Sequence, residues 1–295
     1  MKKNHNFFSR LALNLAEVNL GKTKTNPSVG CVIVKNNSVV SSGITSINGR
    51  PHAEFNALNK NKFFTGSKMY VSMEPCTHYG LTPPCTKIIK KKKIQKVYYS
   101  SHDPDHRTFK KAKLFLNKYK IKSKKVNVSS DIYQSYFINT KYGLPHLDAK
   151  IAISKDIFTI NKKEKWITNK RSRKVSHLLR SRYDCILSTS KSINKDNSLL
   201  NCRIDGLNNF KPELIIIDRN LKLKKNLKLL NISKKRNTYI VTTINKSKKI
   251  NFFKKKNIKF FNIKKLNQKK DFLIQLNKIY KKDKRRILVE SGLTF

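Results

Sequence analysis

The sequence predicts an α/β protein with two successive domains, and three observations lead to this prediction. The chain has 295 residues, enough for two ordinary domains that each bury a core of their own. Short apolar segments of strand length alternate with segments of helical periodicity. Near the middle, Gly143 and Pro145 mark a linker over residues 142–146. We therefore expect a three-layer α/β/α domain over residues 1–143 and a second α/β domain over residues 144–295.

In the first half, apolar spacing predicts the elements in order. The chain opens with an amphipathic helix over residues 7–18, whose expected apolar face is Phe7, Leu11, Leu15 and Val18. Two short strands follow over residues 30–34 and 39–43, joined by a Lys-Asn-Asn turn. The further predicted elements are a helix over residues 52–59, a strand over 69–73, a helix over 86–93 and a strand over 97–100.

The second half has near-continuous apolar segments, which are typical of parallel strands covered on both faces. Such strands are predicted over residues 185–190, 214–218, 238–242 and 287–290. A helix is predicted over residues 170–180, after Trp166. The second half is therefore predicted to form a parallel sheet with helices on both faces.

Three residues of the first half form the ligand set of a metal site. His52 offers an imidazole, and Cys76 and Cys85, each preceded by proline, offer two thiolates. Three ligands of this kind are typical of a catalytic zinc site with its fourth position open to water, whereas a structural site would add a fourth Cys or His. Glu54, two residues after His52, lies where a proton shuttle for that water is expected. The pattern predicts zinc-dependent deamination of a nucleobase-like ring.

The motif alone leaves other interpretations open. A His-x-Glu sequence arises often by chance, two cysteines can be ordinary buried thiols, and a zinc knuckle can be purely structural. The cysteine spacing is also unusual, because eight residues separate Cys76 from Cys85 where nucleobase deaminases of this type mostly have two. Gly80 and the pair Pro83-Pro84 allow this longer segment to reverse and return Cys85 to the metal.

The segment Pro-Cys-Thr-His-Tyr-Gly-Leu-Thr-Pro-Pro-Cys, residues 75–85, closely resembles the bifunctional riboflavin-biosynthesis deaminase/reductase (RibD) family. The upstream segment Asn-Pro-Ser-Val-Gly-Cys-Val-Ile-Val, residues 26–34, matches the same family. The resemblance implies a cytidine-deaminase-like domain followed by a dihydrofolate-reductase-like domain that uses NADPH. It also implies the substrate, 2,5-diamino-6-(5-phosphoribosylamino)pyrimidin-4(3H)-one. Zn²⁺ and Glu54 would deaminate it to 5-amino-6-(5-phosphoribosylamino)uracil, and the second domain would then reduce ribosyl to ribityl.

The resemblance also implies site residues in the second half. The positions matching the family's cofactor contacts are Ala152, Trp166, Ser192 and Asp196, and those matching its substrate contacts are Arg180, Leu200, Arg203 and Glu290. The arginines are chemically reasonable, since a guanidinium group suits a phosphate.

Three departures from the family's pattern lead to further expectations. Residues 105–108 replace an Asn-Pro turn beside the substrate, and the polar stretch over residues 161–165 is short. The family's Gly-rich loop after Glu290 is cut after Gly292, so we expect an incomplete, C-terminally truncated reductase domain with impaired activity.

The composition is strongly basic, with 66 Lys+Arg against 17 Asp+Glu and a formal net charge of +49. Such a charge suggests nucleic acid, but the lysines do not cluster on one stripe. Lys, Asn and Ile all have AT-rich codons, so we interpret the charge as mutational drift rather than a binding surface. We expect no specific nucleic-acid partner, and a phosphorylated small molecule as the substrate.

The cysteines and the apolar segments of the sequence indicate in which cellular compartment the protein is expected. Five cysteines form no disulfide framework, which favours a reducing cytoplasm. No secretory signal and no segment of transmembrane length is expected, hence no membrane partner. Two alternative functions stay open, a tRNA or nucleoside deaminase and a basic nucleic-acid-binding protein with a structural zinc. Homo-oligomerisation stays open as well.

Overall fold

The computed structural model describes residues 2–159, 166–207 and 212–291, and it divides into two compact units, Met1–Gly143 and Leu144–Phe295. Each unit is a sheet covered by helices, which confirms the predicted α/β class. The shortened stretch over residues 161–165 and the chain end after Ser291 lie outside the described residues.

The first unit contains a five-stranded sheet in the order β2-β1-β3-β4-β5. Its elements are α1 (Lys2–Glu17), β1 (Gly30–Lys35), β2 (Ser38–Ile44), α2 (Ala53–Leu58), β3 (Lys68–Met73), α3 (Cys85–Lys91), β4 (Lys96–Ser101), α4 (Ala112–Asn117), β5 (Lys122–Lys125) and α5 (Gln134–Tyr142). Strand β1 is antiparallel to β2 and β3, while β3, β4 and β5 run parallel. Asn36 and Asn37 form the predicted β1–β2 turn with φ of 48° and 61°, a left-handed conformation that Asn tolerates.

The first helix exists as predicted, but its predicted apolar face was only partly right, because Leu11 and Leu15 pack against the core whereas Phe7 and Val18 do not. Phe7 and Val18 are exposed at 64% and 56% of their surface, and the buried face is centred on Ala12 and Ala16. The reason is close backbone packing: a Cβ on Gly30 of β1 would lie 2.1 Å from the Ala12 carbonyl oxygen. Only small side chains allow this approach, so they take the centre of the face.

The second unit contains a six-stranded sheet in the order β10-β9-β8-β7-β11-β6, in which every neighbouring pair is parallel. Its elements are β6 (His146–Ala149), α6 (Lys170–Arg180), β7 (Cys185–Thr189), α7 (Ser190–Asp196), β8 (Glu213–Ile217), β9 (Thr238–Thr242), α8 (Lys248–Lys255), β10 (Ile258–Asn262), α9 (Lys269–Tyr280) and β11 (Arg286–Val289). Buried side chains of α7 and α8 belong to one core cluster and those of α9 to another. Both faces are therefore covered, as the apolar strands predicted.

The predicted linker is shorter in the structure. Helix α5 continues to Tyr142 and ends at Gly143, whose φ of 60° is left-handed, a common way to end a helix. Strand β6 already begins at His146.

The parallel sheet brings distant parts of the second unit together. Strands β7, β11 and β6 are neighbours, so their carboxyl ends share one edge of the sheet, where α/β proteins bind ligands. In the described ranges, none of the helices is both long and apolar enough to cross a membrane.

Candidate functional site

The three predicted metal ligands lie together in the first unit. Within the part of the chain that the structure describes, one group of three or more His, Cys, Asp or Glu side chains could hold a metal ion: His52, Cys76 and Cys85, with ligand atoms within 4.8 Å of one another. The Nδ1 atom of His52 lies 3.3 Å from Cys85 Sγ and 3.7 Å from Cys76 Sγ. Two thiols and one imidazole are the donor set of a catalytic zinc site with an open fourth position, so the residues present fit zinc.

Local structure places each of these side chains. His52 is the extended N-cap residue of α2, and Cys85 is the first residue of α3, directly after Pro84. Cys76 follows the end of β3 in the loop to α3. The backbone N–H of Thr86 donates to the Cys76 carbonyl oxygen at 3.3 Å, and the Cys85 N–H donates to Cys76 Sγ at 3.2 Å. These contacts close the eight-residue loop and return Cys85 to the site.

The cluster favours one thiolate even before a metal is added. The pKa of the Cys76 thiol is lowered to about 4, first by a hydrogen bond from the Cys85 thiol and then by His52. The pKa of Cys85 is raised well above its usual value, because its thiol donates to Cys76 and because it is buried. Thiolate is the form that binds metal, so the negative charge of Cys76 already favours binding of a cation.

Glu54 lies in the first turn of α2 beside this cluster and is only 4% exposed. Burial, followed by the negative charge of Cys76, raises the pKa of the Glu54 carboxyl to about 7. A carboxyl group with a pKa near neutrality both takes up and releases protons readily, as a general acid and base must.

A buried carboxylate that the sequence reasoning missed holds the loop beyond β4. The Glu74 carboxylate accepts hydrogen bonds from the backbone N–H groups of Lys110 and Ala112, both at 3.1 Å, and its Oε2 lies 2.8 Å from His102 Nδ1. Glu74 lies two residues before Cys76, so its hydrogen bonds connect the loop over residues 76–85 with residues 102–112. Its position in Glu-Pro-Cys was the available signal.

Residues 105–108, which depart from the family's pattern, contact the loop over residues 76–85. The Thr77 hydroxyl donates to the Arg107 carbonyl oxygen at 3.1 Å, and His78 Nδ1 lies 3.1 Å from Thr108 Oγ1. Asp105 and Arg107 form a two-pronged ion pair with distances of 3.0 and 2.5 Å. The replacement loop is therefore an ordered part of this region.

In the second unit, two of the predicted substrate residues form a buried ion pair at the carboxyl edge of the sheet. Arg180 Nε and Nη2 donate to the two carboxylate oxygens of Glu290 at 2.6 and 2.8 Å. Lys150 Nζ lies 3.8 Å from Glu290 Oε2, although the sequence reasoning did not select it. Arg180 Nη1 also donates to the Asn201 carbonyl oxygen at 3.1 Å.

Arg203 joins the same network through residues that the sequence reasoning missed. Arg203 Nη1 donates to Asn201 Oδ1 at 2.6 Å, and Nη2 lies 3.2 Å from His177 Nε2. His177 lies one turn before Arg180 on α6, so the two side chains share a helix face, and this spacing was the signal by which the sequence could have indicated His177 as a site residue. Leu200, adjacent to Asn201, is 7% exposed.

The four predicted cofactor residues follow the ends of neighbouring elements. Ala152 is half-buried after β6, and Ser192 and Asp196 lie one turn apart on α7, directly after β7. The Trp166 ring is 55% exposed, with the Arg173 guanidinium 4.4 Å from its centre. Residues 292–295, which follow Glu290 where the family's Gly-rich loop is expected, lie outside the described residues. An exposed ring, a hydroxyl and an exposed carboxylate fit a dinucleotide, which offers ring faces and ribose hydroxyls.

Two family models match the chain. Residues 2–101 match the cytidine and deoxycytidylate deaminase zinc-binding region, and residues 145–295 match the RibD C-terminal domain. The two matches begin in different units. The second does not support the predicted C-terminal truncation.

Curated relatives and solved structures agree with these matches. The riboflavin biosynthesis protein RibD of Aquifex aeolicus is 31% identical over 294 residues, covering 97% of this chain and 80% of the relative. RibD of Actinobacillus pleuropneumoniae is also 31% identical, covering 97% and 77%. A diaminohydroxyphosphoribosylaminopyrimidine deaminase/5-amino-6-(5-phosphoribosylamino)uracil reductase from Thermotoga maritima superposes with a TM-score of 0.83 at 25% identity, covering 99% of this chain and 81% of that one.

Proposed function

The chain belongs to the RibD family, and we propose that its two units divide the family's two activities between them. A zinc-dependent deaminase would occupy residues 1–143 and an NADPH-dependent reductase residues 144–295. The protein is an enzyme of riboflavin biosynthesis with both activities. It deaminates 2,5-diamino-6-(5-phosphoribosylamino)pyrimidin-4(3H)-one to 5-amino-6-(5-phosphoribosylamino)uracil and reduces the ribosyl group to ribityl. A tRNA or nucleoside deaminase, or a basic protein with a structural zinc, is not favoured, since similarity to RibD proteins extends through both units.

The observation that carries the deaminase proposal is the cluster of His52, Cys76 and Cys85 with Glu54 beside it. These three side chains would hold zinc, which when bound acts as a Lewis acid and makes water nucleophilic at neutral pH. The Glu54 carboxylate would move one proton of the attacking water to the ring nitrogen as the C–O bond forms, and would then move the second proton to the amino group as the C–N bond breaks, so that water is consumed and ammonia is released.

The reductase proposal is carried by the Arg180–Glu290 pair and Arg203 at the carboxyl edge of the parallel sheet. NADPH, which supplies the hydride, would be held by Ala152, Trp166, Ser192 and Asp196. The guanidinium groups of Arg180 and Arg203 would bind the substrate phosphate, because their planar donor arrays suit its oxygens. Glu290 would orient Arg180, and Leu200 would line the apolar side of the substrate.

Two coupled measurements on the purified full chain test these assignments. Zinc-loaded protein should release ammonia from the diaminopyrimidine phosphate, and added NADPH should then be oxidised in proportion to the uracil product formed. Removal of zinc with a chelator should stop the first step only. Absence of zinc-dependent ammonia release would contradict the deaminase assignment, and absence of NADPH oxidation with supplied uracil intermediate would contradict the reductase assignment.

We also propose that the chain has no specific nucleic-acid partner and works in the cytoplasm. Support comes from the spread of Lys and Arg along both units and from the thiol ligands, which need a reducing medium. Binding to duplex DNA should therefore be weak, independent of sequence and largely abolished by moderate salt. Sequence-selective binding that persists at high salt would contradict this proposal.

A further inference from the structure

His177 lies at the centre of the polar network in the second unit, facing two guanidinium groups. Its Nδ1 lies 2.9 Å from the Asn201 carbonyl oxygen, and its Nε2 lies 3.2 Å from Arg203 Nη2. Two donors also lie near Nδ1, the Arg203 backbone N–H at 3.3 Å and Arg180 Nη1 at 3.5 Å. Cations therefore approach His177 from both its own helix and the segment after α7.

These contacts define the proton position on the imidazole. The shortest contact of Nδ1, at 2.9 Å, is with a carbonyl oxygen, which only accepts, so we assign the hydrogen to Nδ1; the two donors near this atom lie farther away, at 3.3 and 3.5 Å. A guanidinium N–H only donates, so Nε2 then presents its lone pair to Arg203. Neutral imidazole protonated at Nδ1 satisfies the shortest contact of each ring nitrogen. Imidazolium would instead direct a second N–H at Arg203, and would add a positive charge between two arginines.

The charged surroundings favour the neutral form. The groups facing His177 are Arg180 on α6, Arg203 on the segment after α7 and Glu290 after β11. Burial, followed by the two arginines, lowers the pKa of His177, and Glu290 only partly opposes this effect. The imidazole is therefore neutral around pH 7 and gains its proton in more acidic solution.

The orientation of the Arg203 guanidinium depends on its contact with His177 more than the orientation of the Arg180 guanidinium does. Arg180 is anchored by its two-pronged ion pair with Glu290. Among the described residues, by contrast, no carboxylate lies within ion-pair distance of Arg203, which is oriented by Asn201 Oδ1 and His177 Nε2. Loss of the imidazole acceptor would leave the Arg203 guanidinium with one fixed contact.

We propose that His177 is a positioning residue of the reductase half, whose neutral imidazole holds Arg203 in place to bind the substrate phosphate. The proposal rests on the proposed function, since it takes Arg203 as a phosphate ligand. Protonation of His177 removes the acceptor and repels Arg203, so substrate affinity weakens on acidification while hydride transfer in the bound complex is unaffected.

Two variants of the full chain separate this role from a merely structural one. His177→Gln keeps a neutral acceptor that does not titrate, whereas His177→Phe keeps the ring shape and has no acceptor. Leu178→Ala, a change at the next position of α6, is the matched control, since Leu178 is 41% exposed. Denaturant unfolding of each variant controls for folding of the second unit. The readouts are reductase KM and kcat at pH 6 and pH 8, and the Kd of the ribitylamino product without NADPH.

His177→Phe should raise KM and Kd roughly 10-fold at pH 8 with little change in kcat, the size expected for a hydrogen bond to a charged group. His177→Gln should stay within about 3-fold of wild type at pH 8. Between pH 8 and pH 6, wild-type KM should rise more steeply than that of His177→Gln, which retains only the dependence due to the substrate phosphate itself.

Three results would overturn the proposal: unchanged KM and Kd in His177→Phe, a loss confined to kcat, or identical pH profiles of wild type and His177→Gln. An active wild type with any of these results refutes the role of His177 alone. A wild-type chain that neither binds the product nor reduces the substrate refutes the reductase assignment itself, and this inference with it.

Discussion

The two units build their candidate sites in opposite ways. In the first unit, the proposed zinc ligands lie within residues 52–85 and are brought together by two helix starts and one short loop. In the second unit, the network extends from Lys150 to Glu290, and strands far apart in sequence must pair before it exists. A metal centre needs all its ligands at once, while a network of hydrogen bonds and ion pairs loses affinity in steps. The two sites should therefore fail differently.

Removal of one metal ligand should have the largest effect. We expect Cys85→Ala to lose zinc and deaminase activity to background, because two remaining ligands bind a catalytic zinc poorly. Reductase activity should persist. Metal analysis and both activity assays measure this, with Cys31→Ala as the control, since Cys31 is a buried thiol outside the cluster. Full zinc occupancy in Cys85→Ala would remove this residue from the ligand set.

Removal of the proton shuttle should leave the metal in place. Glu54→Gln should keep zinc but lose deamination by roughly 10²-fold or more, the usual contribution of a general acid–base group. Zinc stoichiometry and ammonia release measure the two effects separately. A variant that retained near wild-type turnover would show that another group moves the protons.

The second unit should respond in steps. Arg203→Ala should weaken substrate binding roughly 10-fold without unfolding the unit, since Arg203 is exposed and no carboxylate of the described residues anchors it. Arg180→Ala should cost stability as well, about 3 kcal/mol, because it leaves the 9%-exposed Glu290 without its bidentate partner. Reductase KM and denaturant unfolding measure these outcomes. Equal effects on stability from the two variants would contradict the difference in anchoring.

The last expected effect is on stability and concerns a buried carboxyl in the first unit. Burial raises the pKa of Asp103 to about 6, so the folded chain holds this proton more tightly than the unfolded chain does. Its contribution to stability is therefore largest in acid and is lost as the pH rises from about 4 to about 6. Asp103→Asn keeps an acceptor oxygen for the Asp105 N–H and does not titrate. It should gain roughly 2 kcal/mol relative to wild type between these pH values.

Denaturant unfolding of both proteins at pH 4 and pH 7 tests this last prediction. A constant difference between wild type and Asp103→Asn across this range would show that folding does not raise the pKa of Asp103.

Much of the fold was predictable because local patterns carry it. The helix over residues 170–180 and the strand over 238–242 have the predicted ends, since a polar N-cap bounds the first and continuous apolar residues define the second. Helices α8 and α9 were missed because their segments are rich in lysine and bury few side chains, among them Phe253 and Leu276. Their buried faces can be recognised only once the helices are packed against the sheet.

The sequence by itself predicted the residues of the candidate metal centre, which the structure brings together. His52, Cys76, Cys85 and Glu54 belong to a motif whose residue types and spacing already specify the chemistry, because a short chain segment can satisfy four directional contacts. Tertiary structure decided which side of α1 is buried, since Gly30 on another element admits only small side chains there. It also decided that Glu74 holds residues 102–112 and that His177 faces Arg203. These contacts join residues 18 to 38 positions apart. They depend on strand pairing and helix packing, which no local pattern encodes.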